Sequence, residues 1–280
     1  MTVVEPSPVR RALRAWYGPR RDAYPWRRDP PDPYRVLVSE VMLQQTQAAR
    51  VAPRFETFVS AFPDVRALAR ATRADVLRAW GDLGYPRRGI RLHAAASAIV
   101  ERFGGRVPDD PAELLALPGV GPYTANAIAA IGYGRPVVAM DVNVRRVISR
   151  VAGSERDVDE RAEELLDRSD PSAWHQALMD LGREVCRPVP RCDGCPLARW
   201  CRSRGRATSR VSSRPQGRFE GSNRQARGRV LASLRERGSM GLAGVTRAAG
   251  LPAARVTTAV EGLVRDGLVE RRGRSYRLPG

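Results

Sequence analysis

Apolar residues recur at three- and four-residue spacing across 34–62, 64–80, 91–103 and 112–117. This is the pattern of helices with one buried face. Proline and glycine punctuate the junctions at Pro63, 81–84, 104–111, 119–122 and 132–136. Period-two alternation is scarce before residue 200, so 8–200 is expected to be almost wholly helical and a parallel sheet is unexpected. From 202 to 224 the chain turns to Arg, Ser and Gly with few apolar positions, the composition of a solvated linker. A compact pattern then resumes. Helices are predicted over 230–237 and 242–249, and a third, opened by Pro252 after Gly250, runs through Val264. Residues 268–270 and 275–278 flank an arginine-rich tip as a short hairpin. Helix, helix-turn-helix and two-strand wing is the winged-helix order; a plain three-helix cap is the alternative.

At 280 residues the chain has room for about two domains. Its formal charge of +18 is costly to a compact fold and points to a polyanionic partner, with an arginine-rich linker able to touch phosphates. No apolar run approaches the roughly 20 residues needed to span a bilayer, and residues 1–14 lack the apolar core of a signal peptide. A bacterial cytoplasmic, nucleoid-associated protein without a membrane partner is expected. All 48 basic residues are arginine, so no lysine amine is available to form a Schiff base. His93 and His175 have no ligand-type neighbours and are read as helix-surface or core residues.

Between two helical stretches lies Leu117-Pro118-Gly119-Val120-Gly121-Pro122-Tyr123-Thr124-Ala125. Its glycines are expected to allow backbone angles that other residues resist, leaving bare amides at a helix start where a phosphate can sit. Downstream comes Met140-Asp141-Val142-Asn143-Val144-Arg145-Arg146, where an aspartate before a helix would by default be an N-cap.

A helix-hairpin-helix followed by an aspartate resembles the DNA glycosylase superfamily that includes MutY and endonuclease III. The resemblance covers roughly residues 10–202 and implies base flipping and glycosidic cleavage in double-stranded DNA bearing a mismatch or lesion. It assigns Asp141 to stabilise or attack the oxocarbenium ion that forms as the base leaves. Bifunctional members carry a lysine where Tyr123 stands, so a monofunctional enzyme is expected. The run Val38-Ser39-Glu40-Val41-Met42-Leu43-Gln44-Gln45 resembles the adenine-pocket helix of the MutY family, which implies that Glu40, its pKa raised by burial, protonates adenine N7. Gln44 and Gln45 would touch DNA, with Gln45 filling the gap left in the stack. Tyr85, in Trp80-Gly81-Asp82-Leu83-Gly84-Tyr85, would wedge beside the partner base. Tyr123 and Asn143 would position the two carboxylates, while Gly119, Val120, Gly121, Arg87, Arg88 and Arg145, with Arg146, would meet the backbone. Tyr24-Pro25-Trp26-Arg27 and Pro33-Tyr34 extend the match.

The four cysteines all fall between Cys186 and Cys201 as Cys186-x5-Cys192-x2-Cys195-x5-Cys201. Such clustering in a chain without a signal peptide suggests metal binding, and four thiolates suit either a 4Fe-4S cluster or structural zinc. The family resemblance favours the 4Fe-4S cluster, although the first interval is one residue shorter than usual. The arginines around it, Arg187, Arg191, Arg199 and Arg202, would then face DNA.

The expected fold is mainly α. It is a two-lobed helix-hairpin-helix glycosylase with an iron–sulfur loop and a small C-terminal winged-helix-like domain. A six-helix lobe is placed at 30–138, an iron–sulfur lobe at 8–29 plus 139–202, a linker at 203–223 and the winged helix at 224–280. A monomer is expected. The leading function is removal of adenine opposite 8-oxoguanine or guanine. A monofunctional glycosylase for thymine, uracil or 5-hydroxyuracil is the first alternative, and an iron–sulfur DNA-binding regulator the second. The tail is too short for the Nudix-like domain that reads 8-oxoguanine in many MutY proteins.

Overall fold

The computed structural model describes residues 6–206 and 217–280. Residues 1–5 and the centre of the expected linker, 207–216, with the phosphate contacts suggested for it, lie outside the described residues. In chain order the helices are α1 (Pro6–Tyr17), α2 (Pro33–Leu43), α3 (Ala48–Ala61), α4 (Val65–Arg70), α5 (Arg73–Trp80), α6 (Arg87–Phe103), α7 (Pro111–Leu115), α8 (Pro122–Ala127), α9 (Val142–Ala152), α10 (Val158–Leu165) and α11 (Pro171–Glu184). They are followed by α12 (Asn223–Arg237), β1 (Met240–Gly241), α13 (Leu242–Ala249), α14 (Ala253–Arg265), β2 (Glu270–Arg272) and β3 (Ser275–Arg277). The expected mainly α architecture is therefore observed.

Local chemistry sets many of the boundaries. Asp64, Thr72, Asp110 and Asp170 each accept a hydrogen bond from the first turn of α4, α5, α7 and α11, and Ser222 does so for α12. Caps of this kind are each worth about 1 kcal/mol. Left-handed glycines end α6 (Gly104, φ 59°), α9 (Gly153, φ 75°) and α13 (Gly250, φ 60°).

The chain divides into two compact units, Met1–Glu40 with Val107–Ser213, and Val41–Arg106 with Arg214–Gly280. In the first, Val9, Leu13 and Tyr17 of α1 pack with Val144, Val147 and Ile148 of α9 and with Leu178 and Leu181 of α11. A buried ion pair pins this arrangement: Arg27 donates to both oxygens of Asp180 at 2.8 Å each. Both partners are nearly inaccessible, and Asp180 also accepts from Arg183 at 2.9 Å.

In the second unit, Ala74 and Leu77 of α5 share a core with Val230, Leu231 and Leu234 of α12 and with Val256, Val260 and Leu263 of α14. The C-terminal elements thus pack directly onto this helical lobe. Their strands form an antiparallel sheet in the order β1-β3-β2, with Met240 opposite Tyr276 and Arg272 opposite Ser275. The helix–helix–helix–hairpin order follows the sequence pattern, with two differences. Helix α12 begins at Asn223, ahead of its apolar positions, because Ser222 caps a polar first turn. Strand β1 has two residues, too few to display alternation. Among the described residues no helix is long and apolar enough to cross a membrane.

Candidate active site

Helix α2 is buried along most of its length, from Val36 to Met42. Glu40 shares that burial, with 6% of its surface exposed. An ionised carboxylate is disfavoured there. Burial, reinforced by the negative charge of Asp141 and opposed by a hydrogen bond from Tyr123, pushes Glu40 up to about 7. Near neutral pH this carboxyl is therefore divided between its acid and base forms. Tyr123, near the start of α8, has its own ionisation pushed well above the ordinary tyrosine value by burial, Glu40 and Asp141. It remains a donor. Its hydroxyl also lies 3.8 Å from Met179 Sδ.

Asp141 is the N-cap of α9. One carboxylate oxygen accepts from the amides of Asn143 (2.9 Å) and Val144 (2.6 Å), and the other from Asn143 Nδ2 (2.8 Å). The helix start thus holds a negative charge in a fixed orientation, favoured by the helix dipole. Capping and proximity to Glu40 are compatible properties of the same side chain.

Further residues fix this geometry. Asn143 Oδ1 accepts from Arg146 Nη2 at 2.7 Å, and the Arg146 guanidinium donates on to the carbonyls of Gly182 and Cys186, each at 2.7 Å. Helix α11 approaches so closely that a Cβ on Gly182 would lie 2.6 Å from Asn143 Cβ. The segment leading to Asp141 is held by His175, which is fully buried. The Ala139 amide donates to His175 Nε2 at 2.9 Å, so Nδ1 carries the proton and donates to the Pro171 carbonyl at 2.7 Å. Burial pushes His175 down to about 4. His175 is a core residue, one of the two placements read from the sequence, and it supports the carboxylate from within; Arg146, read as a phosphate contact, is buried and does the same.

The hairpin between α7 and α8 departs from expectation in one respect. Gly119 adopts φ 81°, the left-handed region. Gly121 has ordinary extended angles, φ −98° and ψ 175°, and a Cβ there would meet nothing within 4 Å. What Gly121 contributes is uncovered backbone, not a special conformation. Val120 is buried beneath the turn.

The remaining residues assigned to DNA occupy varied environments. Gln45 and Tyr85 are exposed, both at positive φ (56° and 47°), and Gln44 is half-buried. Arg87 pairs with Asp266 at 2.6 Å, and Arg145 pairs with Asp159 at 2.9 Å; both arginines remain substantially exposed. Arg88 is buried and bonded to backbone carbonyls.

Residues 38–171, which include Glu40, Tyr123 and Asp141, match the family model for the HhH-GPD superfamily base excision DNA repair protein. An adenine DNA glycosylase of Mycolicibacterium smegmatis is 42% identical over 281 residues, covering 95% of this chain and 93% of that one. The chain belongs to the HhH-GPD superfamily. The adenine DNA glycosylase of Mycobacterium tuberculosis H37Rv is 41% identical over 288 residues, covering 96% of this HhH-GPD chain and 92% of its own. The human adenine DNA glycosylase is 39% identical, covering 73% of this chain and 41% of its own. A solved thermostable thymine-DNA glycosylase superposes with TM-score 0.63 at 28% identity, over 69% of this chain and 93% of that one. An endonuclease III–DNA complex, at TM-score 0.58 and 24% identity over 72% of this chain and 96% of that one, shares the fold.

The cysteine region of this HhH-GPD protein corrects the reading from spacing. Among the described residues, no group of three or more His, Cys, Asp or Glu side chains is placed to hold a metal ion. This overturns both the 4Fe-4S cluster and the zinc alternative, and with them the iron–sulfur loop as part of the fold. Cys186, Cys192, Cys195 and Cys201 are half-buried free thiols bordering one pocket. Cys186 Sγ accepts from Arg150 at 3.4 Å, Cys192 Sγ from the Gly205 amide at 3.3 Å, and Cys201 Sγ donates to the Arg150 carbonyl at 3.4 Å. Burial pushes Cys195 up to about 11 and also raises Cys201. Regular spacing brings four cysteines into one loop, and that spacing alone does not make a metal site.

Proposed function

We propose that this chain is an adenine DNA glycosylase of base excision repair that acts on mispaired adenine in double-stranded DNA. The observation that carries the reading is the buried Glu40 carboxyl, lifted to about 7 beside Tyr123 and Asp141. Adenine is a poor leaving group until its ring is protonated. A buried acid poised near neutral pH supplies that proton. In the proposed sequence, duplex DNA presents a flipped adenosine and Glu40 donates its proton to adenine N7. The C1′–N9 bond then breaks with its electron pair passing to the base. Asp141, held by the α9 amides and Asn143, stabilises the oxocarbenium ion, and water adds at C1′ with loss of a proton. With no lysine among the 280 residues, no lysine Schiff base forms and the product is an abasic site.

Within this reading, Gln44, Gln45 and Tyr85 engage the opened stack, and Gly119, Val120, Gly121, Arg87 and Arg145 line the path of the backbone. Residues 224–280 act as a winged-helix-like domain. The chain works on the bacterial chromosome in the cytoplasm, with 8-oxoguanine or guanine opposite the target adenine. The test is base release from duplexes carrying A:8-oxoguanine, A:G, G:T, G:U and G:5-hydroxyuracil, scored by alkaline cleavage of abasic sites. Release is expected only from the adenine duplexes, with no borohydride-trapped adduct. Asp141→Asn is expected to slow it by about 10²- to 10³-fold, and Glu40→Gln to cripple it. Release of pyrimidines alone would overturn the substrate assignment.

A further inference from the structure

Among the described residues, Gln45, Tyr85 and Asp157 are the non-glycine residues at positive φ, a region that L side chains adopt at a cost. Gln45 follows the end of α2, and Tyr85 precedes α6. Both are exposed. Arg88, in the first turn of α6, lies between these two turns with 9% of its surface exposed. Its Nη1 donates to the carbonyls of Val41 (3.1 Å), Met42 (3.0 Å) and Gln44; its Nη2 donates to Thr46 Oγ1 (3.0 Å) and the Gly84 carbonyl (3.3 Å). One guanidinium therefore binds the carbonyl immediately before each of the two strained, exposed residues. It also neutralises the negative end of α2. Its central carbon lies 5.5 Å from the centre of the Trp80 ring and 5.1 Å from that of the Tyr85 ring. Both terminal nitrogens are committed, so a phosphate would have to displace internal bonds to reach them. A lysine ammonium could not copy this planar fork.

We propose that Arg88 is a positioning residue that locks Gln45 and Tyr85 into a single preformed wedge for opening the base stack, not a phosphate contact. The proposal rests on the reading above that these two side chains enter the duplex. Arg88 thus acts before the chemical step, by making base extrusion favourable without ordering the loops anew on each encounter.

The experiment replaces the target adenine by 2-aminopurine, whose fluorescence rises when it leaves the stack, and compares wild-type protein with Arg88→Lys and Arg88→Met. Two duplexes are used, one with guanine opposite the probe and one with an abasic analogue opposite it, where extrusion is already easy. Expected with guanine opposite is a fluorescence rise about tenfold smaller in both variants. With the abasic analogue opposite, all three proteins should give the same rise to within about twofold. Tyr85→Ala should show the same deficit, with Arg88→Lys adding little to it. Equal losses on both duplexes would mean general damage to the fold, and unchanged signals would mean no role; either overturns the proposal. So would a fall of about 0.9 in the slope of log affinity against log salt, the mark of one lost phosphate contact. Failure of Arg88→Met to fold leaves Arg88→Lys and the Tyr85 comparison to decide. Because fluorescence reads extrusion and not release, wild-type extrusion without adenine release would defeat the substrate reading while leaving this one standing.

Discussion

Replacing Glu40 by glutamine separates the cost of the acid from its use. Glutamine keeps the shape of the side chain and removes its charge. Lifting a carboxyl from 4.5 to about 7 corresponds to about 3 kcal/mol at roughly 1.4 kcal/mol per pH unit. The sign follows from which state binds the proton. Between 4.5 and 7 the folded protein holds a proton that the unfolded chain has released, so this group makes stability fall as pH rises through that window. Below 4.5 both states are protonated and the penalty is absent; above 7 both are ionised and it is fully present. Glu40→Gln should therefore match wild-type protein at pH 4.5 and be more stable by about 3 kcal/mol at pH 8. Urea denaturation at a series of pH values reads the difference directly, because titrating groups remote from Glu40 cancel between the two proteins. Over the same series, single-turnover adenine release by wild-type enzyme should decline above pH 7, and the variant should be slower by about 10²- to 10⁴-fold. A stability difference that does not change with pH would refute the burial argument, whatever happened to the rate.

Asp141→Asn should lower the single-turnover rate by about 10²- to 10³-fold, as expected when a charge aimed at the transition state is lost. Asparagine keeps an oxygen for the α9 amides, so the thermal midpoint should change little. His175 titrates with the opposite slope from Glu40, because its folded value of about 4 lies below the ordinary 6.5. Its contribution is complete above pH 6.5, and about 3 kcal/mol is lost as pH falls toward 4; urea denaturation of His175→Gln should show a shallower acid loss than wild type. Asp180→Asn breaks the buried pair with Arg27 and should cost about 3–5 kcal/mol in chemical denaturation, much of which Arg27→Met combined with Asp180→Leu should restore.

The helical lobes and the C-terminal order were legible because apolar periodicity and glycine or proline breaks are local signals. Strand β1 was not, being too short to have a period, and neither was the polar first turn of α12. Arginine was the least legible residue type. Arg87 and Arg88 are neighbours in an ordinary basic run, yet one pairs with Asp266 at the surface and the other is buried against the end of α2. What separates them is the supply of backbone carbonyls from distant segments, which no local pattern announces. Arg146 beneath Asn143 is a second instance. The cysteines misled in the opposite direction, because their spacing carried a strong pattern that the placement of the sulfurs does not follow. Glu40, Tyr123 and Asp141 were singled out through family resemblance; their closeness depends on how separate helices pack.

Gly182 shows how far a site's determinants can lie from its reacting atoms. Helix α11 can press against Asn143 only because residue 182 has no side chain. The orientation of the amide that steadies Asp141 is thereby set by the absence of a methyl group on another helix. Variation there would act as a coarse dial on catalysis, invisible to any survey confined to polar residues lining the pocket.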